Sequence, residues 1–414
     1  MTSPTRADAE RLDEADPIGH LREHFLLPDG VIYLDGNSLG PLPTAVPERV
    51  RVALELEWGV GLIRSWNDAN WYPAPLRVGS KIAALVGAGS HEVVVCDSTS
   101  VNLFKVLVAA CRLREDRSVI VAERGNFPTN AYITSAVGDM VGRRVVFVDP
   151  PDVPAAIAEA GGDLAAVQLT EVNFKTAQKY DMASITQQVH AQGGLMIWDL
   201  CHSVGALDVR LNDSDADFAV GCTYKYLNGG PGSPAFVFVA ERHLAGLEQP
   251  LQGWHGHARP FDFAQEYEAK PGIERMLTGT ASQLGMIALE AALEVFDGID
   301  MQAVRTKSFA LTSSFIDGVD TELAGCGFTV VSPREQTLRG SHVSLAHEYA
   351  YPITQALIAR GVIGDFRAPD LLRLGFAPLY LRHVDVWDAL SIIRQVMTAR
   401  SWDQPEFHER KAVT

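Results

Sequence analysis

The stretch Thr223-Tyr224-Lys225-Tyr226-Leu227-Asn228-Gly229-Gly230-Pro231-Gly232 follows directly on the apolar run Phe218 to Gly221. A lysine among aromatics, followed by a glycine-rich turn, is partly withdrawn from water. An amine so placed is a candidate nucleophile toward carbonyl groups. An isolated lysine is ordinarily a solvated surface charge. Here the reading changes because Asp199 stands 26 residues upstream, about one helix-plus-strand unit, at the end of the run Leu195 to Trp198. A carboxylate at a strand end suits a protonated ring nitrogen, and His202, three residues on, can orient it.

Working outward, short apolar runs alternate with longer amphipathic ones. Val93 to Cys96, Val119 to Ala122, Val145 to Val148, Ala165 to Leu169, Leu195 to Trp198, Phe218 to Gly221 and Ala235 to Val239 read as buried strands. Val101 to Arg112, Pro154 to Glu159 and Met182 to Gln192 read as helices between them. This alternation predicts an α/β fold with a mainly parallel sheet wrapped by helices. Only a glycine-rich loop separates the last two runs, so an antiparallel strand is expected there. After Gly279 the pattern becomes α+β. Ser282 to Phe296 and Met301 to Val319 read as long helices, followed by strands at Phe328 to Ser332 and His342 to Ala346. Ile353 to Ala359 is then helical, Leu371 to Gly375 a strand, and Val384 to Met397 a last helix. The expected division is an N-terminal arm over residues 1–42, a large domain over 43–290 and a smaller C-terminal domain over 291–414. The arm from Asp16 to Leu42 is expected to lie against the large domain.

Other chemistry-bearing clusters fall on loops after these strands, where open α/β sheets place ligands. Asp97-Ser98-Thr99-Ser100 sits before a helix, where hydroxyls and backbone N–H groups suit a phosphate, although a plain N-cap reads the same way. Asn126-Phe127-Pro128-Thr129-Asn130 offers an aromatic to stack on a flat ring and a hydroxyl for an anion; alone it is an ordinary proline turn. Arg373, in Leu371-Leu372-Arg373-Leu374-Gly375-Phe376, is a candidate carboxylate clamp or an exposed edge charge. Asp199 with His202 is too few ligands for zinc, and no H-E-x-x-H occurs; His255 and His257 beside Trp254 read as rim residues, so no metal is expected. A lysine nucleophile, a ring-nitrogen carboxylate, a stacking aromatic and a phosphate cup together describe a site for pyridoxal 5'-phosphate.

The whole chain has 414 residues, of which 47% are hydrophobic and 21% charged, enough for a large core. Its formal charge of −16 repels phosphate backbones and anionic lipid, so neither nucleic acid nor a membrane surface is an expected partner. Five scattered cysteines, an odd number without C-x-x-C, point to free thiols in a reducing compartment. Met1 to Pro17 is charged and lacks an apolar stretch, so the expected location is the cytoplasm.

With these residues assembled, the chain resembles the kynureninase family, fold-type I pyridoxal phosphate hydrolases of the class V aminotransferase superfamily. The resemblance rests on Tyr33-Leu34-Asp35-Gly36-Asn37-Ser38-Leu39-Gly40, on Gly61-Leu62-Ile63-Arg64-Ser65-Trp66, on the lysine loop and on Gln252-Gly253-Trp254-His255-Gly256-His257. It spans nearly the whole chain. It implies that Lys225 is the Schiff-base lysine, Asp199 the partner of the pyridine nitrogen, and Tyr224 a phosphate contact that assists proton transfer. Ser98, Thr99, Thr129 and Thr170 match cofactor-binding positions, Phe127 with Pro128 the ring-stacking loop, and His202 a further contact. Trp254 and Thr280 match positions that the neighbouring subunit of a homodimer supplies. Arg373 resembles the arginine for the substrate α-carboxylate, with Asn37, Ser38, Trp66, Gly279 and Thr280 also on the substrate side. One departure stands out: the family's Phe-Pro-Thr-Asp or Phe-Pro-Ser-Asp loop ends here in Asn130.

The implied reaction is hydrolysis of L-kynurenine to anthranilate and L-alanine, in tryptophan degradation or NAD supply, with 3-hydroxykynurenine as the weaker substrate. Two rivals remain. A cysteine desulfurase or other lyase on the same scaffold needs a reactive cysteine, for which Gly325-Cys326-Gly327 is the candidate, though no basic neighbour lowers its pKa. A non-catalytic cofactor-binding regulator is disfavoured by an intact set of Lys225, Asp199 and Arg373.

Overall fold

A computed structural model describes residues 5–411 of the chain. Seven strands form the central sheet: β1 (Val93–Val95), β2 (Val119–Glu123), β3 (Arg144–Val148), β4 (Leu164–Thr170), β5 (Leu195–Asp199), β6 (Phe218–Gly221) and β7 (Phe236–Val239). Their order across the sheet is β1-β7-β6-β5-β4-β2-β3. From β6 to β3 all neighbours are parallel, whereas β7 is antiparallel to both β6 and β1. The glycine- and proline-rich loop before β7 forms no crossover helix, and the strand returns antiparallel. Every residue of β1, β2 and β4 to β7 is buried, as expected where helices cover both faces.

The helices that flank this sheet are α2 (Ala74–Leu85), α3 (Thr99–Arg112), α4 (Pro128–Val141), α5 (Val153–Ala160) and α6 (Met182–Ala191), after α1 (Arg6–Glu14) at the start. Gly79 lets α2 lie directly on β1; an added Cβ would come within 2.5 Å of the Val93 carbonyl. Helix α4 corrects the turn expected at Phe127 to Asn130, because Pro128 opens 14 residues of helix. Proline at the first helical position loses nothing, since its missing N–H would have no partner there. The buried face is Asn130, Thr134, Val137 and Gly138. Their spacing is helical, but three of the four are polar or small, so hydropathy does not register the stripe.

Helix α7 (Gln283–Ala292) packs against α2, and α8 (Met301–Glu322) follows. A second, wholly antiparallel sheet is built from β8 (Thr329–Val330), β9 (His342–Ala346), β10 (Asp365–Arg367) and β11 (Leu371–Gly375), in the order β8-β9-β11-β10. The strand expected over Phe328 to Ser332 shrinks to two residues. Helices α9 (Ala350–Ala359) and α10 (His383–Thr398) complete this part.

The N-terminal arm corrects a second expectation. It packs mainly on the C-terminal elements. Asp13 caps α10 through the backbone N–H groups of His383 (2.6 Å) and Val384 (3.0 Å). Asp16 pairs with buried Lys307 at 2.6 Å. Ile32–Tyr33 pairs in parallel with Val362–Ile363, and Gly375 N donates to Leu34 O at 2.7 Å. Backbone pairing of this kind outweighs sequence proximity to the large sheet. Only at its end does the arm reach that sheet, where Gly40 N donates to Tyr224 O at 2.8 Å. A side chain on Gly40 would collide with Asn228 and the Lys225 carbonyl.

Candidate active site

The C-terminal ends of β1, β2, β4, β5 and β6 open onto one cavity of about 240 Å³. Thr99, Ser100, Asn126, Phe127, Thr129, Asn130, Thr170, Phe174, Asp199, Cys201, His202, Tyr224 and Lys225 line it from the large sheet. Asn37 and Ser38 come from the arm, and Arg367 and Arg373 from the second sheet.

Each position has a local cause. Ser98 is the N-cap of α3, its Oγ accepting from Val101 N at 3.4 Å, so the first turn of α3 presents free N–H groups with the hydroxyls of Thr99 and Ser100. The preceding Asp97 takes φ +49° and is held there by buried Lys105 (2.7 Å) and by Thr278 Oγ1 (3.1 Å). Asp199 Oδ2 accepts from Asn130 Nδ2 and Oδ1 from Cys201 N, both at 2.8 Å. Lys225 Nζ lies 3.0 Å from His202 Nε2. Burial, then the charge of Lys225, holds the His202 ring well below its usual range, so the imidazole is neutral. To accept from the Lys225 ammonium on Nε2 it carries its proton on Nδ1, which has no partner. Burial also pushes the Tyr224 phenol up, so it stays protonated.

At the opposite end Arg373 is buried. Its Nε donates to Asp365 Oδ1 (2.8 Å), Nη1 to Phe174 O (2.7 Å) and Nη2 to Ser38 Oγ (2.7 Å). The Asn37 amide, oriented with its oxygen toward the guanidinium, accepts from Nε and Nη2 at 3.0 and 3.2 Å.

The cavity therefore gathers Lys225, Tyr224, Asp199, His202, Thr99, Phe127, Thr129, Asn130, Thr170, Asn37, Ser38 and Arg373. It does not gather all the expected residues. Ser98 and Pro128 do not line it. Trp66 packs edge-on against Trp71 at 6.1 Å. Trp254 is 40% exposed and stacks on His255, and Gly279 and Thr280 are exposed. Cys326 lies in a turn whose carbonyl accepts from His347 and does not line the cavity. Sequence reasoning missed Phe174, which lies in the loop four residues past the end of β4 and was open to the same strand-end argument. It also missed Lys105, Asp365 and Arg367, which carry no local signal because their partners are distant in sequence.

The donor set fits pyridoxal 5'-phosphate. Three buried side-chain nitrogens of cavity-lining residues, Asn126 Nδ2, His202 Nδ1 and Arg367 Nε, lack a protein partner, and a helix N-terminus with two hydroxyls provides an anion cup beside the lysine. Among the described residues no group of three or more His, Cys, Asp or Glu could hold a metal ion, and no helix is long and apolar enough to cross a membrane.

Comparison with known proteins agrees. Residues 304–393 match the family model described as the kynureninase C-terminal domain. Kynureninase of Burkholderia mallei (strain SAVP1) is 49% identical over 417 residues, covering 99% of this chain and 100% of the relative. Kynureninase of Pseudomonas fluorescens is 48% identical with the same coverage. Among solved structures, a cysteine desulfurase from Thermococcus onnurineus NA1 superposes with TM-score 0.77 at 18% identity, covering 92% of this chain and 98% of that one. The mutant C-DES structure with glycine covalently linked to its pyridoxal phosphate gives TM-score 0.76 at 14% identity, over 90% and 98% of the two chains. At those identities the likeness is one of fold, and it matches the fold-type I expectation.

Proposed function

The chain belongs to the kynureninase family, and from that premise we propose that it hydrolyses L-kynurenine to anthranilate and L-alanine within tryptophan degradation. It is a pyridoxal phosphate enzyme acting on a carbon–carbon bond. The observation that carries the assignment to this cavity is that Lys225, Asp199 and Arg373 line one space although they come from two different sheets.

The cofactor, when bound, supplies an electron sink for negative charge developing at the substrate's Cα and Cβ. The chain's residues bind, orient and move protons around it. The first turn of α3, with Ser98, Thr99, Thr129 and Tyr224, is suited to the phosphate, and Phe127 to the ring face. Asp199 keeps the pyridine nitrogen protonated, with Asn130 and Cys201 N fixing its two oxygens. Lys225 is the base at Cα, and neutral His202 accepts a hydrogen bond from it and aims its amine. Tyr224, protonated at neutral pH, delivers a proton beside it. Arg373 with Asn37 and Ser38 receives the α-carboxylate.

The same reading takes the assembly as a homodimer. Leu54, Leu56, Trp58, Val60, Leu62 and Ile63 are all exposed, Ile63 at 77%, a concentration of apolar surface that an interface would cover. Trp254 and Thr280 lie outside their own chain's cavity, where a neighbouring subunit could use them. We place the domain boundary near residue 290 and the protein in the cytoplasm, the latter supported by its five free cysteines. Anthranilate fluorescence from kynurenine, run beside sulfide release from cysteine, tests the function. Anthranilate without sulfide is expected; the reverse would overturn the assignment.

A further inference from the structure

Two guanidinium groups face the substrate end of the cavity, and they differ in how much of each is already used. Arg373 is 1% exposed, and each of its three nitrogens donates to the protein: to Asp365, Ser38 and the Phe174 carbonyl. Arg367 is 32% exposed. Only its Nη2 is engaged, by Asp365 Oδ2 and, at 3.2 Å, by Ser38 Oγ. Its Nε is buried without an acceptor, and its Nη1 makes no hydrogen bond among the described residues.

The strand register explains the pairing. Asp365 lies opposite Arg373 across β10 and β11, and Arg367 follows Asp365 by two residues on the same face of β10. One carboxylate thus holds both guanidiniums side by side. Two positive charges against one negative leave a net positive charge facing the cavity. A substrate carboxylate bound by Arg373 alone would have to displace Asp365 or Ser38 from it. The open donors of Arg367 require no displacement.

We propose that Arg367 is a substrate-binding residue that takes the α-carboxylate jointly with Arg373, and that Asp365 is the positioning residue for both. The proposal rests on the amino-acid-cleaving reading of this site and names a second determinant of its specificity for α-carboxylates. An arginine is suited to this because its planar fork presents parallel donors, which lysine cannot reproduce.

The test separates the carboxylate from the rest of the ligand. The holoenzyme is titrated calorimetrically with an L-kynurenine analogue whose γ-carbonyl is replaced by methylene, and with the amine formally derived from it by loss of the carboxyl group. In Arg367→Ala the Kd of the amino acid should rise about fivefold or more, while that of the amine stays within about twofold of the parent protein's. Arg367→Lys should fall between the two. A smaller loss for the amino acid, or an equal loss for the amine, overturns the proposal, and the lysine variant keeps the test open if the alanine variant does not fold. Turnover of kynurenine by the unmodified enzyme checks the underlying reading separately.

Discussion

Asn130 donates from Nδ2 to Asp199 Oδ2 at 2.8 Å. An ionised carboxylate at position 130 could only accept, and two carboxylates at this distance disfavour joint ionisation. The amide removes that repulsion and adds a donor. Asn130→Asp should therefore move the acidic limb of the kcat/KM–pH profile upward, by about one unit. Asp199→Asn should lower turnover by roughly 10³-fold or more, through loss of the charge that protonates the ring. An unshifted acidic limb in Asn130→Asp would contradict this account.

Lys225→Ala should also lower steady turnover by roughly 10³-fold or more while phosphate contacts still retain cofactor. Borohydride reduction of the parent holoenzyme and peptide mapping should place the pyridoxyl group on Lys225. A label on Lys175 or Lys179 would sink the assignment.

Asp35 makes substrate binding pH-dependent. Burial, then the charge of Asp365, pushes its carboxyl up to about 7. Asp365, held between two guanidiniums, stays ionised, so the proton resides on Asp35. The other groups that face it are Arg373, Arg367 and the phenols of Tyr33, Tyr226 and Tyr380, all three phenols pushed up by burial. Below pH 7 Asp35 is neutral and the cluster keeps its positive charge; above it, ionisation cancels that charge. KM for kynurenine should rise as pH climbs through about 7 with kcat little changed, and Asp35→Asn should flatten the rise. The folded state holds a proton that the unfolded chain releases at lower pH, so this group costs stability as pH rises toward 7. Thermal melts of Asp35→Asn should show a larger gain at pH 8 than at pH 5. A pH-independent KM in the parent enzyme counts against the reading.

Shared sites would show as complementation. Mixing Trp254→Ala and Lys225→Ala subunits should restore part of the activity that each lacks, because one site of each mixed dimer is intact. No recovery despite demonstrated subunit exchange would argue for sites confined to one chain.

Kynurenine should be preferred over 3-hydroxykynurenine. The resemblance assigns Trp66, Gly279 and Thr280 to the substrate ring; a pocket built from them gives the 3-hydroxyl no partner, and its unpaired burial would cost roughly 1–3 kcal/mol, a factor of about 5 to 150 in kcat/KM. Specificity constants decide it, and a preference for the hydroxylated substrate would refute the pocket reading.

Much of the large sheet was legible in the chain because its signals are local. Seven apolar runs between turn residues mark the seven strands, and the absence of a helical stretch before Ala235 marks the strand that reverses. Lys225 and Asp199 stand out for the same reason: each closes or follows a strand, where the fold places ligand groups. Helix α4 was not legible, because its buried face is Asn130, Thr134 and Gly138 beside Val137. Strand β10 carries too few residues for a periodic signal, and β8 is shorter than the run that marks it.

The sequence by itself thus determined the sheet, the placing of Lys225 and Asp199 at strand ends that share one cavity, and through its motifs the family. At the Arg373 end the motifs named Arg373, Asn37 and Ser38, but only the tertiary structure joined them to Asp365 and Arg367. Ser38 and Asp365 meet at 2.7 Å although 327 residues separate them, and Asp365 joins Arg367 to Arg373 only because β10 and β11 pair in that register. The arm's docking on the C-terminal strands is what carries Asn37 and Ser38 to the cavity. The physical reason is range. Strand alternation, helix stripes and strand-end motifs are encoded within a few residues, whereas a shared counter-ion arises from backbone pairing between distant segments and leaves no trace in either one alone.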